Sequence, residues 1–510
     1  MENITKIYPN GFMANKDVNL AINTGEIHAL VGENGAGKTT LMKILFGMES
    51  FQGGRVLLNG EDADISSPLD AIDKGIGMVH QHFMQVPSLS VAENVTLGIE
   101  PGKGLLFDQK TASEITQEIS DKYQLKVNAQ ERIADLGVGL RQKVEILKAL
   151  VRKCRILILD EPTAVLTPQE TQELFVQLKA LKKDGIAIIF ISHKLEEVME
   201  LCDRVTVLRA GRTVGTDVIG NLDPAKISRM MVGRDVILKI QKDPAKPKDV
   251  VLRVSDLEYR NGENVKVVNK VSFVVRQGEI VGIAGVEGNG QNQVAELVAG
   301  MLPLGHGTVE ILRRSIKGKS VRKIREMGLA YISEDRMLYG CAANLPIREN
   351  IMADRIHTRR YKKLGIFTDP KKVNEEIDQL IREFEIACDD RSQPVRMLSG
   401  GNIQKVIVAR EFSSGAQLIL ANQPTRGIDV GTTEMIRKTL VRKAREEGVA
   451  TLLVSSDLNE ILEVSDRLLV MKDGEIVAHF QDTSQVSEDL LGEYMLGVKC
   501  MTKEEMGDLV

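Results

Sequence analysis

Short apolar runs alternate along the chain with stretches of helical periodicity, and each run ends in a loop. Runs of four to six apolar residues read as strands covered on both faces. Their alternation with helices predicts an α/β fold, a parallel or mixed sheet flanked by helices. The strands expected are residues 27–31 (IHALV), 156–159 (ILIL) and 186–191 (IAIIFI), then 417–421 (QLILA) and 450–454 (ATLLV). Residues 40–46, behind the first run, read as a helix. Two charged, helix-patterned stretches, residues 85–150 and 337–412, each predict a helical subdomain inserted in its half.

The pattern occurs twice. Gly32 and Gly285 are 253 residues apart, Asp160 and Asn422 are 262 apart, as are Leu136 and Leu398, and His193 and Ser456 are 263 apart. A near-constant offset reads as tandem duplication, and 510 residues exceed what one core usually holds. The expected division is a first domain over 1–236, a linker over 237–249, a second domain over 250–500 and a tail over 501–510. The heart of the linker, Lys242-Asp243-Pro244-Ala245-Lys246-Pro247-Lys248-Asp249, holds nothing apolar larger than alanine and cannot build a core. Residues 250–254 (VVLRV) give the second half an opening strand, and nothing precedes Met1 to match it. The first half is therefore expected to lack that strand or to carry a mis-assigned start.

Composition narrows the class. A net charge of −4 argues against a broad nucleic-acid-binding face. No run approaches the ~18 apolar residues of a membrane helix, and Met1-Glu2-Asn3 does not open a signal peptide. The five cysteines are scattered without CxxC spacing, which suits buried small hydrophobes in a reduced chain better than zinc or redox work.

The first apolar run feeds Gly32-Glu33-Asn34-Gly35-Ala36-Gly37-Lys38-Thr39. Glycines there let backbone N–H groups turn toward phosphate oxygens at a helix N-terminus, whose dipole favours anions. Lys38 is expected on the β- and γ-phosphates, the Thr39 hydroxyl on Mg²⁺, and Thr40 beside them. A chance glycine turn is the bland alternative, and the position after a strand and before a helix argues against it. Asp160-Glu161 ends another strand. Asp160 is expected to hold Mg²⁺, and Glu161 to orient or deprotonate the attacking water. Taken alone, Gln81 and His193 read as structural polar residues; their order after strands reverses that. Gln81 is then a contact to Mg²⁺ and the water, and His193 a contact to the γ-phosphate. Tyr8 is a candidate to stack on adenine.

These residues in this order resemble the ABC transporter ATPases, over nearly the whole chain and in both halves. The identifying element is the signature, intact in the second half as Leu398-Ser399-Gly400-Gly401-Asn402 and broken in the first as Leu136-Gly137-Val138-Gly139-Leu140. The resemblance implies tandem P-loop domains, ATP and Mg²⁺ as ligands, and two halves packed head to tail. Each nucleotide then lies between one half's phosphate loop and the other's signature. Sorted this way, one site joins Lys38, Thr39, Gln81, Asp160, Glu161 and His193 to Ser399, Gly400, Gly401, Asn402 and the D-loop Asp429. The other joins Gln291, Asn292, Glu334 (at the Gln81 position), Asn422, Gln423 and Ser456 to the broken signature, with Thr167 in its D-loop. Every departure converges on one site. An amide has no titratable acceptor near neutral pH, so Gln423 is expected to do no base catalysis.

Within the family, fused halves with a degenerate second phosphate loop resemble importers of monosaccharides and nucleosides. The strings MVHQHFM (78–84) and ISEDR (332–336) resemble the purine nucleoside branch. The resemblance implies an ATPase on the cytoplasmic face of the cell membrane, attached through two integral-membrane permease subunits. It also implies an extracytoplasmic substrate-binding lipoprotein and no nucleic acid. Ribose- or galactose-type import is the alternative, and a soluble ATPase acting on ribosomes a more distant one.

Overall fold

The computed structural model describes all residues except 10, 81–82, 104–105, 164–165, 193, 234–239, 241, 364–366, 485, 508 and 510, and leaves aside the side chains of 103, 106, 363 and 367. Contacts divide the chain into two units, Met1–Val236 and Ile237–Val510.

In the first unit a six-stranded sheet runs in the order Arg212–Val218, Arg204–Arg209, Ile27–Gly32, Ala187–Ile191, Ile156–Asp160, Ile76–Val79. All neighbours are parallel except the edge hairpin. The central strands are β-branched or leucine-rich and buried along their length, as a sheet covered on both faces requires. Phe175, on the helix Pro168–Lys183, meets Phe190 edge-to-face with centroids 6.2 Å apart, fixing that helix on the sheet. Burying each such large apolar side chain stabilises the fold by about 1.5–3 kcal/mol.

The second unit repeats this order, taken from the opposite edge, with Leu329–Ile332, Leu418–Asn422, Ala450–Val454, Ile280–Ala284, Arg467–Lys472 and Glu475–Phe480. Only its outermost hairpin is antiparallel. The inserted subdomains are helical as expected. The first holds Val91–Thr96, Gln109–Lys122 and Val138–Val151, and the second Ile347–Met352, Pro370–Glu383 and Gly400–Phe412. A buried asparagine pins the chain where it enters each one. Asn94 accepts from Val86 N and donates to Val86 O and Ser90 O. Asn350 does the same with Ala342 N, Ala342 O and Leu345 O.

Three boundaries depart from the sequence reading. The helix expected from residue 40 begins at Lys38, because Gly37 in the left-handed region (φ 96°) turns the loop straight into it. The first unit does have an opening strand, Glu2–Ile7, paired with Met13–Val18 and Gly53–Arg55. Its second-unit counterpart is the longer Val250–Arg260, so the apolar run 250–254 is only that strand's first part. Polar Asn3 and Thr5 hid the shorter one. Finally, the polar stretch expected as a linker lies on the second unit's surface: Lys242 donates to the Ser465 carbonyl, and Arg445 to that of Asp243. The final residues also join this unit, through Met501 N to Val477 O and Val274 N to Leu509 O.

Candidate functional site

The first unit's phosphate loop leaves the buried strand Ile27–Gly32 and enters the helix Lys38–Leu45. Gly35 has φ 83° and open space where a Cβ would stand; a Cβ on Gly37 would lie 2.4 Å from the Ala14 carbonyl. The loop is thus a concave backbone surface closed behind and open in front, a cradle that fits phosphate. Lys38 is buried, and its ammonium donates to the carbonyls of Gly32 (2.7 Å) and Glu33 (3.0 Å). The Tyr8 hydroxyl lies 3.3 Å from that of Thr40, and the Lys6 ammonium sits 5.1 Å from the Tyr8 ring. The tyrosine therefore stands beside the loop.

Asp160, at the end of its strand, is brought to the loop by the sheet. The Thr39 hydroxyl donates to it at 3.3 Å. Burial, then the neighbouring Glu161 carboxylate, pushes the Asp160 carboxyl above its usual range, while Thr39 and Lys38 oppose this. A buried carboxylate disfavoured in this way, beside a hydroxyl, is a donor set suited to a hard divalent cation. Glu161 follows in the left-handed region (φ 50°), its N–H held by the Ile191 carbonyl at 3.0 Å. Such a non-glycine residue costs on the order of 1–3 kcal/mol and is kept only where the surroundings dictate it. Gln81 and His193 lie outside the described residues.

One residue that fastens the candidate site together escaped the sequence reading. Glu197, almost buried, accepts from Thr163 Oγ1 (2.6 Å) and Ser192 Oγ (3.0 Å), both at its Oε2, while Oε1 pairs with Lys194 (3.1 Å). Thr163 is two residues past Glu161, and Ser192 directly precedes His193. A single carboxylate therefore ties together the two strand ends that carry the candidate catalytic groups. In sequence Glu197 looks like one more charge on a helix; its repeat, Glu460, is fully buried beside Arg437.

In the second unit the same backbone carries different chemistry. Gln291 donates to the Val286 carbonyl at 2.9 Å, the place Lys38 takes on Glu33, without the charge. Asn292 donates to Glu334 at 2.5 Å, and Glu334 also accepts from Arg426. Burial raises the Glu334 carboxyl, with Arg426 opposing. Gln423 keeps the left-handed backbone (φ 51°), but its Oε1 accepts from the Ser456 N–H and hydroxyl at 3.0 and 3.1 Å. The cavity among Gln291, Asn292, Gln423, Arg426 and Ser456 is about 20 Å³, room for about one water. The side chains that depart from the nucleotide-binding pattern are thus turned onto their own neighbours, and the Gln291 Oε1, Asn292 Oδ1 and Asn422 Oδ1 atoms stay buried without a hydrogen-bond partner. Arg426, which joins this cluster, was not anticipated.

The signature residues differ likewise. Ser399 caps the helix Gly400–Phe412, Asn402 donates to Ser399 Oγ at 2.9 Å, and Asn402 Oδ1 accepts from Ala387 N at 2.8 Å. A Cβ on Gly401 would lie 2.6 Å from Asp429 Oδ2 and would press on the carboxylate that caps Thr432. In the first unit Gly137 begins the corresponding helix with no side-chain cap.

The family model described as ABC transporter matches residues 15–164 and again 268–426. The chain is 43% identical to the guanosine import ATP-binding protein NupO of Bacillus subtilis, over 99% of this chain and 98% of that protein. It is 42% identical to the nucleoside import ATP-binding protein NupA of Lactococcus lactis, over 98% and 97%. It is equally 42% identical to the glucose import ATP-binding protein TsgD13 of Haloferax volcanii, over 94% and 92%.

Proposed function

This chain belongs to the ABC transporter family and is an ATPase, and from that premise we propose that it is the ATP-hydrolysing subunit of an importer of nucleosides, purine nucleosides such as guanosine foremost. The carrying observation is the contrast between the two units. Lys38, Thr39, Asp160 and Glu161 are assembled around an open phosphate cradle, whereas Gln291, Asn292, Glu334 and Gln423 are engaged with their own neighbours.

In this reading ATP is held by the loop Gly32–Thr40, with Tyr8 against the base. Lys38 releases its loop carbonyls to the β- and γ-phosphates. Thr39, Asp160 and Gln81 would hold Mg²⁺, which neutralises phosphate charge when bound. Glu161 accepts the proton of the attacking water, and His193 hydrogen-bonds the γ-phosphate. The second site does not hydrolyse, because Gln423 cannot take a proton and Gln291 brings no charge.

Among the described residues no helix is long and apolar enough to cross a membrane, so attachment to the cytoplasmic face of the membrane runs through two permease subunits. Exposed Met84 and Val86 in the first unit, and Met337, Leu338 and Tyr339 in the second, lie beside the entry to each helical subdomain. They are the surfaces offered to those permeases; a substrate-binding lipoprotein delivers the solute outside. Sugar import is the competing reading, favoured by the likeness to TsgD13.

Uptake of labelled guanosine, ribose and glucose by a host lacking this chain tests both. Guanosine uptake rescued by wild type but not by Glu161→Gln is the expected result. Rescue of sugar uptake alone refutes the nucleoside assignment and leaves the site chemistry standing. Full rescue by Glu161→Gln refutes the site chemistry.

A further inference from the structure

A cavity of about 530 Å³ opens on the second unit, away from the cluster around Gln291. That volume lies within the 300–1,000 Å³ typical of small-molecule sites. Its lining is charged: Lys248, Arg253, Arg276 and Arg313 against Asp249 and Glu310, four cations to two carboxylates. Among the described residues, none of the four cations forms an ion pair or has a side-chain hydrogen-bond partner. This is unlike Arg437, Arg445 or Arg467 of the same unit, each of which grips a carboxylate.

A second observation comes from the backbone. Leu312 and Arg313 form the turn between the strands His306–Ile311 and Arg314–Ser315, and both have positive φ, 49° and 60°. Two-residue hairpin turns with both residues left-handed favour Asn-Gly. The first unit has that pair in the equivalent turn: Asn59 and Gly60, φ 53° and 86°. Leu312 offsets its strain by packing against the core of its unit. Arg313 is exposed and has no packing that explains it. The position equivalent to Arg276 in the first unit is Asn23, and that equivalent to Glu310 is Leu57. The basic cavity is therefore particular to the second unit and is built partly at the expense of turn geometry.

We propose that this cavity binds a compact oligophosphate, two or more linked phosphates on a free small molecule, at a site separate from the phosphate loop. Guanidinium groups match phosphate oxygens in bidentate fashion, and three arginines with a lysine, from separate segments, engage more oxygens than one phosphate presents. Unpaired cations in a concave site attract such an anion without first breaking a salt bridge.

Calorimetric titration of inorganic tripolyphosphate into the full chain carrying Lys38→Ala tests this. One remaining site is expected. In the same background Arg313→Gly should weaken it about tenfold, and Arg253→Gln with Arg276→Gln by more. Arg313→Gly should also raise the melting temperature by about 2–4 °C, since glycine relieves the turn, so lost binding cannot be lost folding. With Lys38 intact, Arg313→Gly should weaken one of two tripolyphosphate sites by the same factor and leave ATPase activity unchanged. Absence of a site in Lys38→Ala, or affinity unchanged in both arginine variants, overturns the proposal. So does sedimentation with phosphatidylglycerol vesicles that depends on Arg313 while tripolyphosphate fails to bind, which would assign the cavity to a lipid headgroup.

Discussion

Replacing Glu197 should loosen the strand ends that carry the candidate catalytic groups of the first unit. Two buried hydroxyls, Thr163 at 2.6 Å and Ser192 at 3.0 Å, donate to one oxygen of this carboxylate. Hydrogen bonds to a charged group are each worth about 1.5–3 kcal/mol, and Ala leaves both donors without an acceptor. Glu197→Ala should therefore cost about 3 kcal/mol locally. Gln differs in a way the geometry dictates. Both hydroxyls use Oε2, so an amide oxygen placed there keeps both bonds and loses only the charge and the Lys194 pair, about 1 kcal/mol. Because the change is local and the chain has two units, hydrogen exchange is a better measure than global unfolding. Peptides spanning residues 157–168 and 188–198 should exchange roughly 150-fold faster in Glu197→Ala and about fivefold faster in Glu197→Gln, as 1.4 kcal/mol is tenfold. The kcat for ATP should fall in parallel while KM holds. Exchange in Glu197→Ala within threefold of wild type, or a glutamine variant as damaged as the alanine one, would refute the reasoning.

Three further outcomes are expected. Lys38→Ala should lower ATPase activity at least a hundredfold and Gln291→Ala less than twofold, measured by phosphate release; equal losses would contradict the asymmetry of the two units. Burial holds the His28 imidazole below its usual value despite the opposing Glu26 carboxylate. The unfolded chain then takes up the proton first, so stability from neutral His28 is present above about pH 6.5 and is lost as pH falls below it; thermal melts between pH 8 and 5.5 should decline, less steeply in His28→Gln. Exposed Cys500 should react first with a thiol reagent at pH 8. Cys154 should be protected by burial that pushes its thiol up to about 12, and burial raises the Cys202 thiol too; a Cys500→Ser chain that still gives a fast equivalent would contradict this.

Much of the architecture was legible because its signals are contiguous. The strand runs 156–159 and 450–454 announce themselves by length and composition, and the glycines and lysine of the first phosphate loop act within eight residues. Where local pattern is weak, legibility failed. Glu2–Ile7 has only two apolar residues, Ile4 and Ile7, three apart and so off the strand period, and it becomes a strand through the pairing with Met13–Val18 beside it. The loss of charge at Gln291 and of the acid at Gln423 could be read directly, but not what those amides do instead.

By itself the sequence determined that two copies of one nucleotide-binding fold are joined, and that Lys38, Thr39, Asp160, Glu161 and His193 of the first copy are answered in the second by four amides and a serine. Those are statements about residue identity at fixed spacing, and spacing survives in one dimension. Tertiary structure alone decided which carboxylate fastens Thr163 to Ser192, that Glu334 lies between Asn292 and Arg426, and that Arg313 stands on the rim of a basic cavity. Each of these joins groups from separate strands, helices or turns. The partner of a buried charge is set by which elements the sheet brings together, and no local propensity encodes that choice.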